Sequence, residues 1–335
     1  MFSARCVSQI TLNTACIGRD TFVKKACRDL CFLCLLLLAA ACTPGKQPAP
    51  PKKTFAQKTY STAEEAVSAL GKADARNDNK DVAEILGDNG YRLICSGDQV
   101  MDRHEADWFR SLYDGGHEVE FQGNQAILTL GRDRQPYPIP LVREAGLWRF
   151  DSSEGHEDLL SRRISKAELN ALNVVTAYVD AQRDYYSQDQ NGDGIREYAQ
   201  QFGSSSGKHD GLYWEKVAGQ RAGPLAELSE IARQEGYREK KGEPVVYRGY
   251  VYKILKSQGV SAPGGLRDYL VDGRMTKGFA LVAFPSRYGV SGVLTYLVNQ
   301  EGAIYQKDLG PQTRKLGQAM TQFNPDRSWS KGPSN

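Results

Sequence analysis

The chain has 335 residues, 43 of them basic and 40 acidic, for a formal charge of +3, with 40% hydrophobic and 25% charged residues. That length exceeds the usual reach of one hydrophobic core, so two domains are expected. The near-balanced charge leaves no basic stripe of the kind nucleic-acid binding requires, which excludes nucleic acid as a partner.

At the amino end, Lys24, Lys25 and Arg28 precede a Leu- and Ala-rich run from Leu30 to Ala41 that stops at Cys42. A charged region, an apolar region and small residues at a cleavage site form a secretory signal. A membrane-crossing helix needs about 20 apolar residues, and this run is shorter. Leu38-Ala39-Ala40-Ala41-Cys42 looks like a lipobox, with Ala39 where the usual pattern has Leu. Residues 1–41 are therefore expected to be removed and Cys42 to carry the lipid, palmitate among its acyl chains. An ordinary cleaved signal beside an incidental Cys42 is the alternative. Thr43 in place of Asp after the cysteine favours the outer membrane, facing the periplasm, over the inner membrane. Residues 1–22 form a mildly polar prefix, and Val23 is a candidate true start.

Removal of residues 1–41 takes away Arg5, Arg19, Lys24, Lys25 and Arg28 together with Asp20 and Asp29, which leaves 38 basic and 38 acidic residues and a formal charge of zero. Five of the seven cysteines go with the signal. Once Cys42 is lipidated, Cys95 has no intrachain disulfide partner, so the body stands on its hydrophobic core. Residues 42–57, rich in proline and without apolar periodicity, are expected to be a flexible leash.

Residues 58–160 are expected to form an N-terminal domain. Ser61-Thr62-Ala63-Glu64-Glu65 is a capping-box start, and Ala66, Ala69, Leu70 and Ala73 continue at helical spacing until Asn77-Asp78-Asn79. A short helix over Val82 to Leu86 follows, then Tyr91 to Cys95 as a strand or buried segment, then a helical piece from Ala106 to Leu112. Strand-like runs cover Glu118 to Phe121, Ala126 to Leu130, Tyr137 to Val142 and Leu147 to Phe150. Helices first and then an antiparallel meander make an α+β plan, which resembles the cystatin-like and nuclear-transport-factor-like cone folds in layout.

Residues 161–335 are expected to form a second α+β domain. It opens with a helix from about Lys166 to Ser187, started by a Ser165/Glu168 capping box, that buries Leu169, Leu172, Val175, Val179 and Gln182. A helical piece follows from Leu225 to Gln234. The strands are Val245 to Leu255, Tyr269 to Val271, Phe279 to Phe284, Val293 to Val298 and Ala303 to Lys307. A long helix feeding an antiparallel sheet resembles the globular part of a pilin-like protein.

Several motifs carry candidate chemistry. Asp189, Asn191, Asp193 and Gly194 stand at positions 1, 3, 5 and 6 of a calcium loop, with Glu197 at position 9 but Gln200 at position 12, where a bidentate Glu belongs. Calcium is thus a possible cofactor, and an Asn/Asp/Gly turn that ends the helix is the competing reading. Gly203-Ser204-Ser205-Ser206-Gly207 spells Gly-x-Ser-x-Gly ahead of His209 and Asp210, which offers an envelope hydrolase with Ser205, His209 and either Asp210 or Asp193. A nucleophile elbow needs a strand before the serine and a helix after it, whereas a Ser/Gly tract reads as a loop. His104-Glu105-Ala106-Asp107-Trp108 begins like a zinc-protease helix, with Trp108 where the second histidine must sit. His117 and His156 have no ligand spacing. Tyr185-Tyr186, Tyr213-Trp214 and Tyr250/Tyr252 fit either a groove for a peptide or glycan or ordinary core packing.

The segments Ala181-Gln182, Asn191-Gly192-Asp193-Gly194, Asp210-Gly211-Leu212-Tyr213-Trp214, Gly278-Phe279-Ala280, Tyr288-Gly289-Val290-Ser291-Gly292 and Tyr305-Gln306-Lys307-Asp308-Leu309-Gly310 together resemble the bacterial family called domain of unknown function 2950. The resemblance runs from about Phe55 to Trp329 and implies no activity. The expectation is an envelope lipoprotein without catalytic machinery, held at the membrane by its lipid and presenting a surface to an envelope protein or glycan.

Overall fold

The computed structural model describes residues 56–333 apart from 88, 154–155, 216–218, 220 and 240–242. The signal, the Val23 start, Cys42 and nearly all of the leash lie outside the described residues. Pro51–Asn335 form one compact unit. Its buried apolar residues gather into two clusters, one running from Ala63 to Leu160 with Val290 added, the other from Ala167 to Phe323. Seven α-helices and several antiparallel sheets among the described residues make it an α+β protein.

Four helices open the chain: α1 (Ala63–Ala75), α2 (Asn79–Leu86), α3 (Gly90–Ile94) and α4 (Gln99–Asp114). Thr62 caps α1 by accepting the Glu65 N–H, and the Glu65 carboxylate reaches back to the Ser61 N–H at 3.1 Å, so the capping box expected there is made by Thr62 and Glu65. Ala63, Ala66, Val67, Leu70 and Ala73 form the buried stripe of α1. It covers a meander of β1 (His117–Gln122), β2 (Gln125–Leu130), β3 (Gln135–Pro136), β4 (Leu141–Glu144) and β5 (Leu147–Phe150), ordered β1-β2-β4-β5 with β3 on the flank of β2. The opposed residues Ala126, Leu141 and Phe150 share the inner face, and all are fully buried.

Two expectations are corrected here. Tyr91 to Cys95 is not a strand, because Gly90–Ile94 closes a helical turn against α2; a five-residue apolar run has no periodicity of its own to choose between the two. The strand expected over Tyr137 to Val142 begins only at Leu141, since Pro138 and Pro140 have no N–H to give a ladder.

Helix α5 (His156–Tyr186) begins ten residues before the expected start, so Ser165 lies within it and caps nothing. Glu168 is instead spent on β13 (Leu294–Asn299) and its preceding residue, its Oε1 accepting the N–H groups of Val293 (2.9 Å) and Leu294 (3.1 Å). Of the expected buried face, Val175, Val179 and Gln182 are buried and Leu172 is half-buried against the second cluster, while Leu169 is 61% exposed. Ala167, Ala171, Tyr178 and Tyr185 complete the inward face. Leu160 belongs to the first cluster and Ala167 onward to the second, so one continuous helix serves both.

After α6 (Ala226–Gln234), the second sheet is built from β6 (Val245–Tyr247), β7 (Tyr250–Leu255), β12 (Ala280–Pro285), β13, β14 (Tyr305–Asp308) and β15 (Ser330–Lys331) in the order β15-β14-β13-β12-β7-β6, all neighbours antiparallel. Four short strands, β8 (Ser257–Gln258), β9 (Arg267–Asp268), β10 (Leu270–Val271) and β11 (Arg274–Met275), decorate it. Val245 to Leu255 is thus a hairpin rather than one strand. Arg248 and Gly249 both take positive φ (46° and 86°), the two-residue turn whose twist suits a hairpin, formed without the usual Asn-Gly signal. Helix α7 (Thr313–Ala319) packs on β12 through Gly317, where an added Cβ would stand 2.5 Å from the Phe284 ring.

The Cys95–Asp98 segment ties the two clusters together. Asp98, 1% exposed, uses Oδ1 to cap α4 through the N–H groups of Val100 and Met101, and Oδ2 to accept from the Tyr237 hydroxyl (2.9 Å) and the Gly249 N–H (2.8 Å). Ser286 donates to the Ser96 carbonyl at 3.1 Å, and Arg287 donates to the Cys95 carbonyl at 2.6 Å while lying over the Tyr91 ring. Replacing Asp98 by Asn turns one of these acceptors into a donor facing two buried donors. Asp98→Asn should therefore lower the unfolding free energy by about 2–4 kcal/mol, read as a shift of the urea midpoint. A variant as stable as the parent would show that these contacts do not carry the join.

Candidate functional site

Helix α4 has sixteen residues, yet Phe109 is its one buried side chain. Gln99, Asp102, Arg103, Ala106, Phe109 and Arg110 recur at the spacing of a single helical face. That face borders an open cleft of about 880 Å³ shared with α1, α2, α3, the Tyr137–Ile139 segment and the start of α5. The volume is that of a small-molecule site, roughly 300–1,000 Å³. Its floor is apolar, with Leu70, Val82, Leu93, Phe109 and Ile139 all at least nine-tenths buried.

Fixed charges surround the floor. Arg110 on α4 donates from Nε to Asp74 of α1 (3.1 Å), from Nη1 to Asp107 (3.1 Å), and from Nη2 to the Asp74 carbonyl (2.9 Å) and the Asn77 side-chain oxygen (3.2 Å). Asn77 takes a positive φ of 54° at the end of α1, which presents its side chain to that guanidinium. Arg163 of α5 donates to the Leu93 carbonyl at 2.6 Å and pairs with Glu105. Asp102 accepts from the Ser96 N–H (2.8 Å) and hydroxyl (2.5 Å) through Oδ1 alone, so its Oδ2 has no partner among the described residues. Burial raises the carboxyls of Asp74 and Asp102 above their ordinary value near 3.8, against the opposing pull of Arg110 on the first and of Ser96 on the second. Trp108 stands at the mouth, 57% exposed.

No sequence motif marks this cleft. Its residues come from five helices and a Pro-rich segment far apart in the chain; the one legible hint was a helix whose pattern offered too few apolar residues to cover a core.

The residues singled out from sequence are placed differently. Ser205 lies in a loop with no strand before it and no helix after it, so the nucleophile elbow is not built. Its N–H donates to Asp210 Oδ1 at 2.7 Å, and Gln201 donates to the same oxygen at 2.9 Å. Burial pushes Asp210 upward, but the hydrogen bonds from Ser205 and Gln201 outweigh it and hold the carboxyl below its ordinary value. The His209 ring stacks on Trp214 at 4.3 Å, and no hydrogen bond joins it to Ser205 among the described residues. Asp193 is paired elsewhere, with Arg274 at 2.6 Å.

In the 189–200 loop, Asp189 accepts the N–H groups of Asn191, Gly192 and Gly194, Asn191 accepts that of Asp193, and Asp193 accepts that of Ile195. The Gly194 N–H is the largest of the influences that hold Asp189 below the ordinary carboxylate value. Glu197 is raised by burial, opposed by Arg274. Gln200 donates to the Gly273 carbonyl and accepts from Lys256. Among the described residues no group of three or more His, Cys, Asp or Glu side chains is placed to hold a metal ion. Protein donors meet the oxygens that calcium would use, with Arg274 as the resident cation.

His104 and His117 are exposed, the second stacked on Tyr113, and His156 is half-buried. Glu105 and Trp108, from the segment that begins like a zinc-protease helix, both line the cleft. Tyr185, Trp214, Tyr250 and Tyr252 are core residues. Cys95 is a half-buried free thiol whose pKa is raised by burial, the opposite of what a thiolate nucleophile needs.

The architecture is that of an α+β protein with two hydrophobic clusters, one continuous helix serving both, and an open cleft on the first. By residues 57–331 the chain belongs to the family described as Protein of unknown function (DUF2950). No curated protein and no solved structure matches it.

Two measurements check this site. In carboxyl-detected NMR titrations Asp74 and Asp102 should titrate above 3.8, and Asp189 and Asp210 below it. A raised carboxyl makes the folded state hold more protons than the unfolded chain above pH 3.8, so Asp74 and Asp102 cost stability as pH rises through their folded values. Asp189 and Asp210 contribute stability that is lost as pH falls below 3.8. For the 189–200 loop, thermal unfolding in millimolar calcium and then in chelator should give the same midpoint. An upward shift that vanishes in Asp193→Ala would make the loop a metal site after all.

Proposed function

We propose that this chain is a lipid-anchored binding module of the cell envelope. Cys42 carries the acyl anchor, residues 43–56 act as the leash up to Gln57, whose side-chain amide donates to the Ile85 and Phe150 carbonyls of the body, and the α4 cleft is the surface offered to a ligand in the periplasm. The observation that carries the reading is the cleft itself. An amphipathic helix is held at its N-terminus by Asp98 and along its length by Arg110 and Arg163, while the face between them is left open over an apolar floor. Keeping such a surface exposed has a solvation cost, and a fold that fixes it with three separate clamps uses it. The carboxylates, guanidiniums and amides lining it suit recognition rather than covalent chemistry. Among the described residues no helix is long and apolar enough to cross a membrane, so on this reading the lipid supplies the attachment.

Radiolabelled palmitate fed to expressing cells should label the protein and co-fractionate with outer membranes on a sucrose gradient. Cys42→Ala should lose the label and leave the precursor unprocessed. A processed, unlabelled parent protein in the soluble periplasmic fraction would overturn the anchor.

A further inference from the structure

The cleft's polar groups fall into two sets. Asp74 and Asp107 share Arg110, and Glu105 pairs with Arg163, so this set is held within the protein with one negative charge left over, on the side of the exposed Asp107. What remains for a ligand is the Asp102 Oδ2 atom, the Arg103 guanidinium and the amides of Asn79 and Gln99, none of which has a protein partner among the described residues, although all four residues line the cleft. One open carboxylate and one open guanidinium cancel, so these four groups add no net charge and are rich in both donors and acceptors. Beside them stand an indole ring 57% exposed and a floor of five buried apolar side chains. A ligand matching this is not an anion and has several hydroxyl or amide groups, a flat C–H face for Trp108 and small apolar substituents for the floor.

We propose that the cleft binds an N-acetylated hexosamine oligosaccharide, its sugar face on Trp108, its hydroxyls and acetamido groups on Asp102, Arg103, Asn79 and Gln99, and its acetyl methyls over the Leu70–Val82–Phe109 floor. This deepens the binding-module reading and rests on it. Sugar C–H faces stack on aromatic rings through the same quadrupole that orders aromatic pairs, and planar polar side chains match the paired donors and acceptors of neighbouring hydroxyls. An acidic ligand would meet the carboxylates of Asp102 and Asp107.

The test titrates the detergent-solubilised full chain with the β-1,4-linked tetramer of N-acetylglucosamine, followed by calorimetry and by tryptophan fluorescence. Saturable binding with a blue shift of the emission is expected. Trp108→Ala should weaken it by about tenfold or more, the loss of one well-made aromatic contact, and Asp102→Asn should weaken it as well. Because Asp102 also holds Ser96, Arg103→Ala serves as the second variant, since Arg103 has no hydrogen-bond or ion-pair partner among the described residues, and it should weaken binding with the unfolding midpoint unchanged. A photocrosslinking residue at position 103 in cells separates the two readings. Crosslinks to protein or lipid with no oligosaccharide titration overturn the sugar and leave a binding cleft. No titration and no crosslink overturn both, while binding that all three variants leave intact places the sugar elsewhere and overturns the proposal.

Discussion

A single buried carboxylate holds this architecture together. Asp98 sits at 1% exposure with four hydrogen bonds, two ending the unsatisfied N-terminus of α4 and two reaching the Tyr237 hydroxyl and the turn N–H of Gly249. A buried charge is tolerable only when its lone pairs are met. Here the donors come from the first turn of α4 and from Tyr237 and the Gly249 turn, so satisfying the charge and joining α4 to the second cluster are one event. The Arg248-Gly249 turn gains a reason from the same fact: a tight turn with two positive φ values brings the Gly249 N–H up to the carboxylate.

From that anchor follows the open cleft. With its first turn fixed by Asp98, α4 is held along its length by Arg110 on Asp74 and by Glu105 on Arg163, charge-assisted contacts that add to the packing of Tyr113 against Gly71 of α1. Phe109 is its one fully buried side chain, with Leu112 and Tyr113 partly buried against the first cluster. The space a larger side chain would have filled at Ala106 stays open as part of the cleft. Polar clamps here do what hydrophobic packing does elsewhere, and the result is a rigid gap in place of a closed interior.

The motif-like segments between residues 189 and 214 are consumed by their own loop architecture. Asp189, Asn191 and Asp193 turn their oxygens onto backbone N–H groups within a few residues, as short polar side chains do when they stabilise turns. Asp210 does the same for Ser205, and Trp214, stacked on His209, closes the loop over Tyr185. Spacing that matches a metal loop or a serine elbow is therefore also the spacing of satisfied turns, which is why such patterns in a sequence overstate chemistry.

The sequence by itself determined the elements whose period or capping is local: α1 with its Thr62/Glu65 box, the β1–β2 and β4–β5 hairpins, the central strand β12 and the α+β class. It also carried the family, through segments spread across the body. It did not determine the start of α5 or the exposure of Leu169, because alanines at 167 and 171 outrank Leu169 only when a sheet lies close enough to reward small residues. Nor did it determine the helical state of Tyr91–Ile94, the split of Val245–Leu255 at Arg248-Gly249, or the cleft. These depend on partners remote in sequence: the Asp98 carboxylate, the Arg163 guanidinium, the sheet beneath α5. Local propensity is written in neighbouring residues, whereas a cavity is defined by where residues fail to meet, and that is decided only once the distant elements are packed.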